Sequence, residues 1–300
     1  MAEPQGNREH KDRLFLKVFE DKEALLSLYN AVNGSDYENP EELEITTLDN
    51  VLYMRMKNDL SFLIDGSLNF YEHQSTFNPN MPLRGCFYMA KVYQEYVERK
   101  QLDLYSSTRL TLPTPRFIVF YNGTDRMKHT PELTLKLSDS FEKQEEEPAL
   151  ECKARVININ YGFNTEIMEK CPKLYEYSFL ISKIREGTAQ GKKLEAAIGA
   201  AIDICIEEGI LTDLLTSYRT EVIGMLLTEY DEERHLKNTY EEGVKKGQKE
   251  GQKKGESIGE FRQLYKLIQK NFLTLHDAAT ANAMTEEQLV ATFKKYGITK

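Results

Sequence analysis

Four polar residues before the first third of the chain ends, Lys57, Asp59, Glu72 and Gln74, are of the types that hold a divalent metal and steer a water molecule. They flank the text DLSFLID, Gly66, SLNFYEHQ. Two alternating runs around Asp-Gly are the strongest short-range signal for a β-hairpin with a two-residue turn. With Asp65 and Gly66 as the turn, Ile64 pairs with Ser67. Stepping outward, Asp59 comes opposite Glu72 and Lys57 opposite Gln74. Alternation along a strand then sends all four side chains to one face. Directly opposed Cβ atoms are about 4.5–5.5 Å apart, so the two carboxylates repel unless a cation lies between them. A Mg²⁺ ion meets that need, since it takes one or two carboxylates together with water and substrate phosphate. Such an ion orients and activates a water and offsets charge on a scissile phosphate. Gln74 is placed to hold that water and Lys57 to stabilise the developing oxygen charge. Cross-strand ion pairs on an exposed face are the other reading of the same four residues, and a three-residue loop breaks the register altogether.

The elements that must position this face are also legible. From Lys11 to Val32 the apolar spacing is helical, with a stop at Asn33-Gly34. Strand formers follow at Glu44–Leu48 and Val51–Met56. After the hairpin a helix is expected from about Met81 to Lys100. Arg116–Tyr121 is a short, continuously apolar run between Pro115 and Asn122-Gly123, as suits a strand buried on both faces. Another strand near Val156 to Ile159 closes the domain, and from Glu166 to Glu233 the periodicity is helical, with breaks at Gly187 and Gly209. The order implies an α/β fold, a sheet with helices packed on it. Arg84, at the start of the helix after the hairpin, has Tyr88 one turn later. The pair either touches a nucleic-acid phosphate, or the arginine is tied to a neighbouring acid. Asp65 belongs to the turn, and His73 falls on the face opposite Glu72.

The stretch Lys57-Asn58-Asp59-Leu60 to Tyr71-Glu72-His73-Gln74-Ser75, followed by Asn78-Pro79-Asn80-Met81-Pro82-Leu83-Arg84, resembles the Rpn-like branch of the PD-(D/E)XK nuclease superfamily. Those proteins are called recombination-promoting nucleases or putative transposases. Lys11-Asp12-Arg13-Leu14-Phe15, Pro115 to Gly123, Cys171-Pro172-Lys173-Leu174 and the Glu- and Gly-rich tail extend the likeness over about residues 10 to 260. The resemblance implies a mixed sheet flanked by helices and a Mg²⁺-dependent (or Mn²⁺-dependent) endonuclease acting on DNA. It implies Asp59 and Glu72 as the metal-binding acids. Gln74 stands where many members have lysine, a departure from the superfamily pattern, and Lys57 is the candidate to replace that cation. Asp12 matches an acidic position on the family's first helix, from which it would reach the metal; a helix-start charge is its plainer role. The rival reading is a non-catalytic DNA-binding or assembly protein on a degenerate nuclease fold.

Composition narrows the partners. The 300 residues carry a formal charge of -9, so nucleic acid is not bound by bulk basicity. No apolar run approaches the roughly 20 residues of a membrane span, and the polar start has no signal-peptide core. The expectation is a cytoplasmic protein with no membrane partner. Its four cysteines are well separated and read as reduced, mostly buried thiols. The expected organisation is a nuclease-like domain over 10–162, a helical extension over 163–236, a Gly/Lys/Glu-rich linker or helix over 237–260 and a small helical segment over 261–300. Cleavage of both DNA strands with one site per chain calls for a homo-oligomer. The glycines at 243, 247, 251, 255 and 259 recur every fourth residue among lysines. They make either a solvated linker or a helix with a smooth stripe toward a partner. The last segment has the rhythm of a small helix-turn-helix with few basic residues on its second helix.

Overall fold

In the computed structural model, residues 14–46, 60–124 and 126–298 are described. The chain divides into two compact units, one up to Glu233 and one from Arg234. The first is an α/β unit built on a mixed sheet of six strands among the described residues: β1 (Glu44–Ile45), β2 (Leu60–Ile64), β3 (Ser67–Gln74), β4 (Thr114–Tyr121), β5 (Glu132–Lys136) and β6 (Lys153–Asn158). Their order across the sheet is β1-β2-β3-β4-β6-β5. β3, β4 and β6 run parallel, and the neighbours outside them are antiparallel.

The hairpin has the expected turn. Asp65 (φ 43°) and Gly66 (φ 67°) are both left-handed, which is the two-residue type I′ geometry. Ile64 pairs with Ser67, and the register runs out to Leu60 opposite Tyr71. The Asp65 carboxylate accepts a hydrogen bond of 2.5 Å from the Tyr37 hydroxyl, so this acid serves the turn.

Strand alternation divides the buried side chains between two faces. Leu68, Phe70, Phe117, Val119, Tyr121, Ala154 and Val156 pack under helix α3 (Met81–Arg99, labelled by its place in the chain). Gly85 permits the close approach: a Cβ there would lie 2.4 Å from the Phe117 ring. The opposite face carries Phe62, Tyr71, Phe120 and Ile157. It is covered by α1 (Leu14–Val18), α2 (Lys22–Asn33), α4 (Thr165–Lys170), α5 (Pro172–Ala189), α6 (Leu194–Glu207), α7 (Thr212–Ser217) and the start of α8 (Arg219–Gln269).

Three expectations are revised. The first helical stretch is two helices, because the Asp21 carboxylate caps a new start by accepting from Ala24 N–H at 2.7 Å. Strand β5 was not anticipated. It is a half-exposed edge strand that pairs with β6 alone, anchored by a two-pronged ion pair from Arg155 to Glu132 at 2.6 and 3.0 Å. Gly187 does not break the helices; it lies inside α5, where a Cβ would come within 3.0 Å of Ala197 on α6. The expected strand at 51–56 lies outside the described residues.

The Gly-rich stretch is helical. Helix α8 runs unbroken for 51 residues through all five glycines, although each costs about 1 kcal/mol relative to alanine. The second unit ends in α9 (Leu275–Ala281) and α10 (Glu286–Lys295). Ala278, Ala279, Leu289 and Phe293 form its small core, and Thr285 with Gln288 closes a capping box on α10. Among the described residues no helix is long and apolar enough to cross a membrane.

Candidate functional site

Glu72 lies one turn of alternation from the end of β3, paired in register with Val119 of β4. Its side chain faces α3 and is buried, 1 % exposed. A carboxylate so placed must be compensated. Arg84, in the first turn of α3, brings its Nη2 to 3.4 Å from Glu72 Oε2. The same guanidinium donates to the Tyr88 hydroxyl from Nη2 at 2.7 Å and from Nε at 3.2 Å. Tyr88 is itself fully buried. Burial, and after it the charge of Glu72, push its phenol well above the usual tyrosine range, so it keeps its proton. Helix α3 thus presents a guanidinium and a phenol to one carboxylate of the sheet.

This corrects one expectation. Tyr88 has no exposed surface for a nucleic-acid phosphate, and Arg84 is tied to the neighbouring acid, the second of the two roles considered for it. Gln74 is the last residue of β3, half-buried and on the same face as Glu72 by alternation. Lys57, Asp59 and Asp12 lie outside the described residues. Among the described residues no three His, Cys, Asp or Glu side chains group as a metal site. Glu72 is a hard carboxylate of the kind that Mg²⁺ takes, and Gln74 carries an amide on the same face.

His73 points the other way and is packed, as its strand position implies. It is 1 % exposed and stacks on Phe15 at 4.8 Å between ring centroids. Its Nε2 shares a 2.9 Å hydrogen bond with the Tyr177 hydroxyl of α5, and its Nδ1 lies 3.6 Å from Glu229 of α8. Tyr177 also accepts from Asn122 Nδ2 at 3.1 Å, just past the end of β4. Arg185, two turns further along α5, donates to the Asn122 carbonyl and, at 2.5 Å, to Asn160 Oδ1 after β6. Sequence reasoning passed over Asn122, Tyr177 and Arg185. Their one local signal is Asn122 directly after β4, at the carboxyl end of a parallel strand, where side chains commonly gather around ligands.

No family model matches the chain, and neither a curated protein nor a solved structure matches it.

Proposed function

We propose that this protein is a metal-dependent endonuclease of the PD-(D/E)XK type that hydrolyses phosphodiester bonds in DNA. Asp59 and Glu72 hold Mg²⁺ or Mn²⁺ in this reading, with Asp12 as a further carboxylate. When bound, the ion supplies Lewis acidity and an activated water. Gln74 orients that water and Lys57 offsets charge on the phosphate. The observation that carries the reading is Glu72 itself. It is a carboxylate on a central strand, near the carboxyl ends of three parallel strands, kept in one position by Arg84. A hairpin register that follows the expected pairing from Ile64 to Leu60 supports the choice of Asp59 as its partner.

The test is cleavage of supercoiled plasmid by the purified chain with Mg²⁺, Mn²⁺, Ca²⁺ or EDTA, beside Asp59→Ala and Glu72→Gln. Nicking that requires Mg²⁺ or Mn²⁺ and disappears in both variants is the expected result. Cleavage that survives in both would remove this site from consideration.

A second reading has an observation of its own. The Arg84 guanidinium offsets the Glu72 charge from within the protein, so the carboxylate has a structural reason to be there without a metal. A non-catalytic DNA-binding or assembly role follows if neither Mg²⁺ nor Mn²⁺ raises the melting temperature and no cleavage occurs. A bound ion stabilises the folded chain by mass action, and Glu72→Gln should abolish that gain.

A further inference from the structure

A cleft of about 360 Å³ opens beyond the carboxyl ends of β4 and β6, on the face of the sheet turned away from Glu72. Asn160 and Tyr161 of the loop after β6 form one wall, and Tyr177, Ser182 and Arg185 of α5 form the other. The loop is pinned rather than loose. Asn158 Nδ2 donates to the Met127 carbonyl at 2.8 Å, Asn160 Nδ2 to the Gly123 carbonyl at 2.9 Å, and Asn164 Nδ2 to the Asn158 carbonyl at 2.8 Å. Open α/β sheets place ligands at such an edge.

Two features of the walls define what fits. Arg185 is fixed by its bonds to Asn122 and Asn160, and among the described residues it forms no ion pair. A guanidinium has five N–H donors, so further donors remain for an anion. Glu186, on the same rim, is balanced by Lys183 at 2.9 Å. Tyr161 lines the same cleft as the arginine, and Tyr175 and Phe179 pack against Tyr161. Tyr161 is 48 % exposed and Tyr175 is 39 % exposed. Their rings and that of Phe179 have centroids 5.6 to 6.3 Å apart, with the Lys183 ammonium 5.2 Å over Phe179.

An aromatic platform next to a fixed cation matches the two ends of a nucleotide, a flat base and a phosphate. A base within a duplex has both faces covered by its neighbours, whereas an unpaired one has a face to offer. We propose that this cleft binds an unpaired nucleotide of single-stranded nucleic acid, its base against Tyr161, which Tyr175 and Phe179 back from outside the cleft, and its phosphate at Arg185. The proposal concerns binding alone and stands or falls apart from catalysis at Glu72.

The experiment is fluorescence anisotropy of the full chain in EDTA. The probes are fluorescein-labelled oligothymidylate and oligouridylate of about 20 nucleotides, and a duplex of the same length. The single strands should bind more tightly than the duplex, and the DNA and RNA arms show which sugar is preferred. Tyr161→Ala and Tyr175→Ala should each weaken binding roughly 5- to 100-fold, while Tyr175→Phe restores it. Arg185→Gln should flatten the salt dependence by about 0.7 in log–log slope. EDTA withholds the metal throughout, which separates this binding from catalysis at the proposed nuclease centre. Absence of binding, tighter binding to the duplex, or unchanged affinity in both tyrosine variants with their melting temperature intact would overturn the proposal. Both tyrosines are solvent-facing, so their replacement tests the cleft even if Arg185→Gln fails to fold.

Discussion

Arg84 Nη2 lies 3.4 Å from Glu72 Oε2, joining the first turn of α3 to the middle of the sheet. The acid is almost wholly buried and the arginine keeps about a quarter of its side chain in water, 27 %. The two partners are therefore unequal. Arg84 can find solvent if the pair is broken, but Glu72 cannot.

Removing each side should accordingly have different costs. Arg84→Met leaves a buried carboxylate with less compensation and should lower stability by about 1–3 kcal/mol. Glu72→Gln, which removes the charge and keeps the shape, should cost less. The double variant should recover part of the Arg84→Met loss. Urea unfolding of the four proteins measures this as a coupling energy, and strict additivity would show that the pair is incidental.

Asp21 starts α2 and also accepts from Lys173 Nζ at 2.8 Å. Burial works against its ionisation, but the Lys173 bond and the Ala24 N–H outweigh burial and hold the carboxyl below its usual range. A depressed acid stabilises the fold at pH above its unfolded value and loses that effect as pH falls through its folded value. Asp21→Ala should cost about 1 kcal/mol at neutral pH, as for other N-caps. The difference from the parent should shrink in acid below about pH 4. Asp21→Asn, which still caps, should cost less, and a pH-independent difference would point away from the ionised cap.

At the hairpin turn, the hydrogen bond to Asp65 pushes the Tyr37 phenol up to about 12. Ionisation is thus disfavoured in the folded chain. The contribution is complete below the ordinary tyrosine range near 10 and is lost as pH rises through about 12. Ultraviolet titration should show one fewer late-ionising tyrosine in Asp65→Ala. Gly66→Ala places a Cβ in open space at a left-handed φ of 67°, so its cost is backbone strain alone, about 1–2 kcal/mol.

The four thiols should separate by reactivity. Burial pushes Cys152 up to about 11 and Cys205 up to about 12, and raises Cys171 as well. Cys86 on α3 is only half-buried. A thiol reagent at pH 8 should modify Cys86 first, and mass spectrometry should find the other three only after denaturant is added. Rapid labelling of Cys205 would contradict the packing of α6.

How far these features were legible depended on whether the deciding contact was local. The hairpin, α3 and β4 follow from turn chemistry and periodicity within a few residues, and their register and limits agree closely with the structure. Strand β5 alternates polar and apolar residues over only five positions, too short a run to stand out by itself. Its text, ELTLK, becomes a strand through β6 and Arg155, about twenty residues further on. The break between α1 and α2 rests on one capping carboxylate inside an otherwise helical rhythm. The His73–Tyr177 bond joins positions 104 apart in sequence, a distance no periodicity reports. Glu72 was recognisable as chemistry-bearing from the expected hairpin register, which puts it opposite Asp59. That its neighbour is Arg84 depends on Gly85 letting α3 descend onto Phe117.

The placement of α3 also sets an order of assembly. β2 and β3 are joined by two residues and can close within microseconds. β4 must instead wait for the 19-residue α3 and the loop behind it before it can pair in parallel with β3. Glu72 is on the early hairpin, but both Arg84 and the roof that excludes water from the carboxylate arrive with that crossover. The acid is therefore expected to keep its water until the helix that covers it also brings Arg84, an order that φ-values on the hairpin and on α3 would test.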